Sequence, residues 1–270
     1  MLNEIKEAVQ FIQTKYPFQP TVGIVLGSGL GSFTNEIEVE YKISYTDIPH
    51  FPVSTVEGHT GELIFGELGG KKVVAMSGRF HYYEGYSAQE VVFPIRVLKF
   101  LGIQTLIISN AAGGMNPSFK VGDLMIIKDH ISLFTANPLI GVNEKRLGVR
   151  FPDMSEPYKK YLIEKVKNIA FENKIAIKEG IYAGVTGPTF ETRAEYKMLN
   201  TLGSDAVGMS TVQEVIAAVH LGLPVFAMSV ITDVGIREEE NTITHQEVLQ
   251  AAQEAGPKIT FLFKTLIAQL

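Results

Sequence analysis

A chain of 270 residues that is 46% hydrophobic and 20% charged can bury a sizeable core, which excludes disordered and fibrous classes. Its 24 Lys and Arg against 29 Asp and Glu leave a net charge of −5 with no basic run, so no nucleic-acid partner is expected. The absence of cysteine removes disulfides, thiolate nucleophiles and cysteine-ligated metals together, and any nucleophile must be something else.

MLNEIKEAVQFIQTKY mixes acids with apolar residues, unlike a secretory leader. No apolar stretch approaches a membrane span, so a cytoplasmic protein with no membrane partner is expected. Ile5, Val9 and Ile12 fall at helical spacing behind Asn3, a candidate cap, and predict an amphipathic helix over 3–15. TVGIVLG (21–27) is a β-branched run ending in glycine and reads as a strand inside a covered sheet. ELIFGEL and KKVVAMSG flank Gly69-Gly70 and predict a hairpin. TLIIS (105–109), DLMIIK (123–128), IYAGVT (181–186) and VFAMSVIT (225–232) read as further short buried strands. The sheet should therefore be mixed.

Three helix starts carry a capping-box pattern: Ser87 with Glu90, Thr211 with Glu214, and Thr244 with Glu247. Pro94 lies inside the first and should kink that helix or shift its start. Residues 137–157 lack periodicity, which in a compact chain suggests a functional loop or a subunit contact. With no repeat and no linker, the expected class is α/β: a single domain spanning 1–270, with a central mixed β-sheet flanked by helices.

The chemistry-bearing motifs cluster where strands end or helices begin. LGSGLGS (26–32) follows a strand but fails the dinucleotide fingerprint, since Ser32 stands where the third glycine is needed. It reads either as a tight strand exit or as an anion cradle to which Ser28 adds a hydroxyl. His59 sits between glycines in VEGHTGE, where a lone histidine is more often a turn residue. In SGRFHYYEGYS, Arg79, His81 and Tyr83 alternate and would share a face if the strand from Val73 continued. Arg79 and His81 with Ser28 and His59 make a plausible donor set for a tetrahedral oxyanion. SNAAGGMNP (109–117) leaves backbone uncovered at Asn110, Ala111 and Ala112. VTGPTFET (185–192) presents Phe190 and Glu191, an aromatic that can stack on a planar heterocycle beside a carboxylate that can accept from its ring N–H. Ser210 in GMSTVQE lies at a helix mouth, the geometry of an anion site. Asp233 ends a strand and His245 falls in the first turn of the last helix.

Taken together, GSGLG, EGHTG, GRFHYYEG, NAAGG, GPTFET, VGMSTVQEV and His245 resemble, in order and approximate spacing, the trimeric purine nucleoside phosphorylases, over roughly Val22 to His245. The resemblance implies that Ser28, His59, Arg79, His81, the backbone at Ala111 and Ser210 bind phosphate. It places Phe190, Glu191 and Asp233 on the purine, with Val207 and Gly208 lining the pocket. Tyr83, Met209 and His245 fall to the ribose, and Phe151 closes the sugar side of a neighbouring subunit in a homotrimer. No metal and no cofactor are implied, and inorganic phosphate is the co-substrate and nucleophile, acting with the purine nucleoside. Asp233 and His81 would carry the catalytic proton chemistry.

The chain departs from this family at the leaving group, because many members have asparagine where Asp233 stands. An amide can donate to purine N7, whereas an aspartate must first be protonated, which burial can arrange. Related methylthioadenosine phosphorylases share an aspartate that suits 6-aminopurines. Glu191 instead complements the N1–H and 2-amino donors of hypoxanthine and guanine, and His245 suits a free 5′-hydroxyl. The balance predicts inosine and guanosine as substrates, with some tolerance of adenosine. A nicotinamide-dependent dehydrogenase, resting on LGSGLG alone, and a non-catalytic nucleoside- or phosphate-binding module are the rival readings.

Overall fold

The computed structural model describes residues 1–55, 60–235 and 243–270. Helix α1 (Leu2–Lys15) buries Leu2, Ile5, Ala8, Val9 and Ile12, the stripe that its spacing predicts. Its cap residue is Met1, without a side-chain hydrogen bond, so Asn3 lies inside the helix instead of capping it. Strand β1 (Val22–Val25) is buried throughout. Next come β2 (Glu38–Ser44), then β3 (Glu62–Leu68) and β4 (Lys71–Ser77), which form the expected antiparallel hairpin around Gly69-Gly70.

Pro94 acts by shifting a helix start. The capping box of Ser87 and Glu90 opens a short α2 (Ala88–Val91), the chain breaks at Val92, and α3 (Phe93–Leu101) begins afresh with the proline in its first turn, where no N–H is needed. The remaining elements are β5 (Thr105–Gly114), β6 (Leu124–Phe134), α4 (Lys160–Glu172), β7 (Lys178–Val185), α5 (Arg193–Thr201), β8 (Ala206–Gly208), α6 (Val212–His220), β9 (Val225–Val234) and α7 (His245–Ala268). Residues 135–159 carry no helix or strand, as the missing periodicity implies.

The sheet is mixed and nine-stranded, in the order β2-β3-β4-β1-β5-β8-β7-β6-β9, and β9 also pairs with β5. This last pairing closes β5, β8, β7, β6 and β9 into a ring, with the other strands extending from β5 as an open wing. β1, β4, β5 and β9 run parallel to one another through successive pairings, so their C-terminal ends face one way. A register shift between Ala112 and Gly113 sets Gly113 opposite Asp233. That bulge turns the ends of β5 and β9 toward the same space.

Candidate active site

Ligands of open α/β sheets collect outside the carboxyl ends of the strands, and a cleft of roughly 650 Å³ opens there in this fold. Ser28 reaches it from the exit of β1, where Gly27 packs so tightly against β5 that a Cβ would stand 2.7 Å from the Asn110 Cα. Gly29 then turns with φ +77°, a left-handed conformation that glycine adopts without penalty. Arg79, His81, Tyr83, Ala111, Phe190, Glu191, Val207, Gly208, Met209, Ser210, Asp233 and His245 line the same cleft. Residues separated by more than two hundred positions thus converge on one space.

The cleft holds a rigid cationic group. Arg79 is 1% exposed, and its Nη2 and Nε donate to the Glu214 carboxylate at 2.7 and 3.2 Å. Its Nη1 donates to the Ser109 carbonyl at 2.9 Å and to Ser210 Oγ at 3.1 Å. Such a two-pronged pair fixes the guanidinium plane. Strand β4 stops at Ser77, so Arg79, His81 and Tyr83 do not share a strand face; they converge because the chain turns after Gly78. Glu84 holds His81 by accepting from its backbone N–H at 2.8 Å and lying 2.9 Å from its Nδ1. The His81 ring stacks on Tyr83 with centroids 4.6 Å apart. Burial depresses the His81 pKa, partly opposed by Glu84, so the ring is neutral near pH 7. Burial alone would raise the Glu84 carboxyl, but hydrogen bonds from His81 and Thr55 outweigh it and bring it down to about 2.

The mouth of α6 differs from its reading as a capping box. Thr211 occupies the cap position, but its side chain does not cap the helix, and its partner Glu214 is engaged by Arg79. Thr211 has φ +69° and ψ −54°, and the Val212 N–H donates to the Ser210 carbonyl at 2.7 Å, a strained three-residue turn. Asn110 Nδ2 donates to Thr211 Oγ1 at 2.8 Å and pins that turn to β5. The turn aims Ser210 into the cleft beside Arg79.

Two carboxyl groups line the same cleft. Glu191 precedes α5, whose true capping box is Thr192 with Glu195, a pattern missed in the sequence. Burial raises the Glu191 pKa. Asp233 is 8% exposed and accepts from the Tyr196 hydroxyl at 2.9 Å and from Thr232 Oγ1 at 3.2 Å. Phe190, half-exposed, borders the same region. His245 begins α7 directly after the Thr244 cap, whose box with Glu247 is present as expected.

His59 lies outside the described residues. Phe151 is 86% exposed and lines a separate hollow with His130, Ile140 and Arg150. Glu214, Glu84 and Tyr196 were missed. Glu214 was hidden by its plausible reading as a helix cap, Glu84 closes a local turn on His81 three residues before it, and Tyr196 acts on Asp233, which only the fold brings near. Among the described residues no cluster of three or more His, Asp or Glu could hold a metal ion. No described helix is long and apolar enough to cross a membrane.

Comparisons with known proteins agree with this architecture. The family model described as the phosphorylase superfamily matches residues 21–268. Purine nucleoside phosphorylase 1 of Geobacillus stearothermophilus is 50% identical over 98% of this chain and 97% of its own length. The purine nucleoside phosphorylase of Bos taurus is 47% identical over 93% of this chain and 90% of its own. The crystal structure of isoform 2 of the Schistosoma mansoni purine nucleoside phosphorylase, in complex with cytosine and ribose-1-phosphate, superposes with a TM-score of 0.94 at 44% identity, covering 99% of this chain and 96% of that one. The S. mansoni enzyme in complex with adenosine also gives 0.94, at 42% identity, over 99% of this chain and 97% of that one. A match of this extent in both sequence and fold places the chain in the phosphorylase superfamily, among its purine nucleoside phosphorylases.

Proposed function

We propose that this protein cleaves purine nucleosides, chiefly inosine and guanosine, with inorganic phosphate, releasing the free base and ribose 1-phosphate or its 2-deoxy counterpart. The observation that carries this reading is the convergence on one cleft of Arg79, His81 and Ser210, where Arg79 donates to Ser210, with Glu191 and Asp233. Phosphate sits on the donors of Ser28, Arg79, Ser210 and the Ala111 backbone, with His81 accepting from its hydroxyl and His59 as a further contact. The purine lies against Phe190, Val207 and Gly208, its N1–H donated to the Glu191 carboxylate. Tyr83, Met209 and His245 hold the ribose, with Phe151 of a neighbouring subunit closing the sugar side in a homotrimer. The whole of residues 1–270 forms one domain, the site needs no metal and no cofactor, and the protein works in the cytoplasm.

The reaction is substitution at the anomeric carbon. The C1′–N9 bond breaks and its electron pair goes to the purine, which takes a proton at N7 from the protonated Asp233 carboxyl. A phosphate oxygen bonds to C1′, and hydrogen phosphate sheds its own proton on becoming a ribosyl ester dianion, which restores the proton balance. His81 suits that step: with Nδ1–H donating to Glu84, its neutral ring keeps Nε2 as an acceptor. The bound dianion also stabilises the oxocarbenium-like sugar of the transition state. A coupled assay of inosine, guanosine, adenosine and methylthioadenosine, with and without phosphate, tests this. Phosphate-dependent release of hypoxanthine and guanine is expected, and a clear preference for methylthioadenosine would sink the assignment.

A further inference from the structure

The two purine-facing carboxyl groups are joined by a residue that the proposed mechanism does not use. Tyr196, in the first turn of α5, directs its hydroxyl to Asp233 Oδ2 at 2.9 Å, and the same hydroxyl lies against the Glu191 carboxyl, each influencing the other's ionisation. The fold makes room for it. A Cβ on Gly113 would stand 2.7 Å from the Tyr196 hydroxyl and 3.0 Å from Asp233 Oδ2, and one on Gly235 would stand 2.3 Å from the Tyr196 ring. Two glycines on neighbouring strand ends thus leave space for one phenol.

A phenol has one proton to give, so between two carboxyl groups it donates to the one that is ionised and accepts from, or turns away from, the one that is protonated. Burial raises the pKa of Glu191, and burial together with the negative charges of Asp233 and Glu191 pushes that of Tyr196 far up, so the phenol keeps its proton. The titratable groups around the trio are Glu195, the residue before Tyr196 in the first turn of α5, Tyr182 of β7 and, lining the same cleft, His245 at the head of α7.

Resting on the phosphorylase reading above, we propose that Tyr196 is a positioning residue that lets Glu191 and Asp233 share one exchangeable proton, so that the same site recognises both 6-oxopurines and 6-aminopurines. With the proton on Asp233, Glu191 is a carboxylate that accepts from the N1–H of a 6-oxopurine while Asp233 donates to N7. With the proton on Glu191, that carboxyl donates to the bare N1 of a 6-aminopurine and passes its proton there as the C1′–N9 electron pair moves onto the base, while the Asp233 carboxylate accepts from the amino group. The observed bond from Tyr196 to Asp233 stabilises this second arrangement. In the first, ionised Glu191 is satisfied by the purine's own N1–H.

Tyr196→Phe removes the hydroxyl and keeps the ring. It should lower kcat/KM for adenosine relative to inosine by about tenfold, the size expected for loss of one charge-assisted hydrogen bond, mostly through the KM of adenosine. In an Asp233→Asn background, where the amide holds no exchangeable proton, the same change should leave the ratio within about threefold. Equal losses for both substrates in the wild-type background, or the same ratio change in both backgrounds, would overturn the proposal. So would a wild-type enzyme that cleaves inosine but not adenosine, an outcome that leaves the phosphorylase reading standing. Absence of phosphate-dependent inosine cleavage would bring down both. A measurement on the unaltered protein covers a variant that fails to fold: calorimetric binding of adenine and of hypoxanthine in buffers of different ionisation enthalpy. Proton uptake from buffer should be the same for the two bases; uptake for adenine alone would overturn the shared proton.

Discussion

Arg79 is a charge almost wholly removed from water, held by the Glu214 carboxylate on one edge and by Ser109 and Ser210 on the other. Breaking a buried pair by removing one partner costs about 3–5 kcal/mol, because the other charge is stranded. Glu214→Ala should therefore lower stability by about that amount in denaturant unfolding and raise the KM for phosphate more than that for inosine. Equal changes in the two KM values would show that Glu214 does not position the phosphate donor. Glu191 presents the opposite balance. Its pKa is raised in the fold, so its ionised form opposes folding at neutral pH, and that opposition fades as pH falls through the folded value. Glu191→Gln should accordingly raise Tm at neutral pH while lowering guanosine turnover. In the unaltered enzyme the KM for inosine should climb as pH falls from neutrality, because protonation removes the proposed N1–H acceptor; the Gln variant should show a flatter profile. The residues legible in the sequence were those inside glycine-bounded motifs, such as Arg79, Phe190 and Ser210. Glu214 was not, because the pattern Thr-x-x-Glu has two physical solutions and only the approach of Arg79 from the turn after β4 selects between them.

Among the elements, the hairpin and the five other expected strands stood out because buried runs of Val, Ile and Leu have few alternatives once glycines bound them. Strand β2 did not, since as an edge strand it exposes most of Glu-Val-Glu-Tyr-Lys and buries only Ile43. Strand β8 is three residues long, too short to carry a period. The chain turn that gathers Arg79, His81 and Tyr83 was equally unreadable, because alternation suggests a strand whether or not the ladder continues. Caps were legible where side chain and backbone agree, as at Thr244, whose hydroxyl and Glu247 close the start of α7. Removing a threonine cap destabilises a helix by about 1 kcal/mol. Thr244→Ala should therefore loosen the first turn, which carries His245, and raise the nucleoside KM while leaving the phosphate KM unchanged. A change confined to Tm, with both KM values intact, would show that His245 does not depend on the cap.

Across the whole molecule, large apolar side chains in and before the loop without secondary structure stand in water: Leu133, Ile140, Val142, Val149 and Phe151 are all exposed. Exposed apolar residues of this size are in keeping with the proposed trimer contact. Because Phe151 is 86% exposed, Phe151→Ala should hardly change the unfolding free energy of a single subunit. It should nonetheless raise the KM for nucleoside, and sedimentation should give three times the 29.7 kDa chain mass for the unaltered protein. A monomer with full activity would exclude a shared site.

The pairing of β9 with β5 has a consequence for how the protein comes into being. Leu106 and Val225 are register partners, so the ring that frames the cleft closes only after a long span of chain has been synthesised and brought back to its starting strand. Contacts of such sequence separation form slowly, and a ribosome delivers the N-terminal wing first. The wing carries Arg79 and His81, whereas Asp233 and the helix bearing His245 emerge last. Arg79 and His81 are thus made long before Ser210, Glu214 and Asp233, and the cleft that gathers them is completed only once the C-terminal third of the chain has been made.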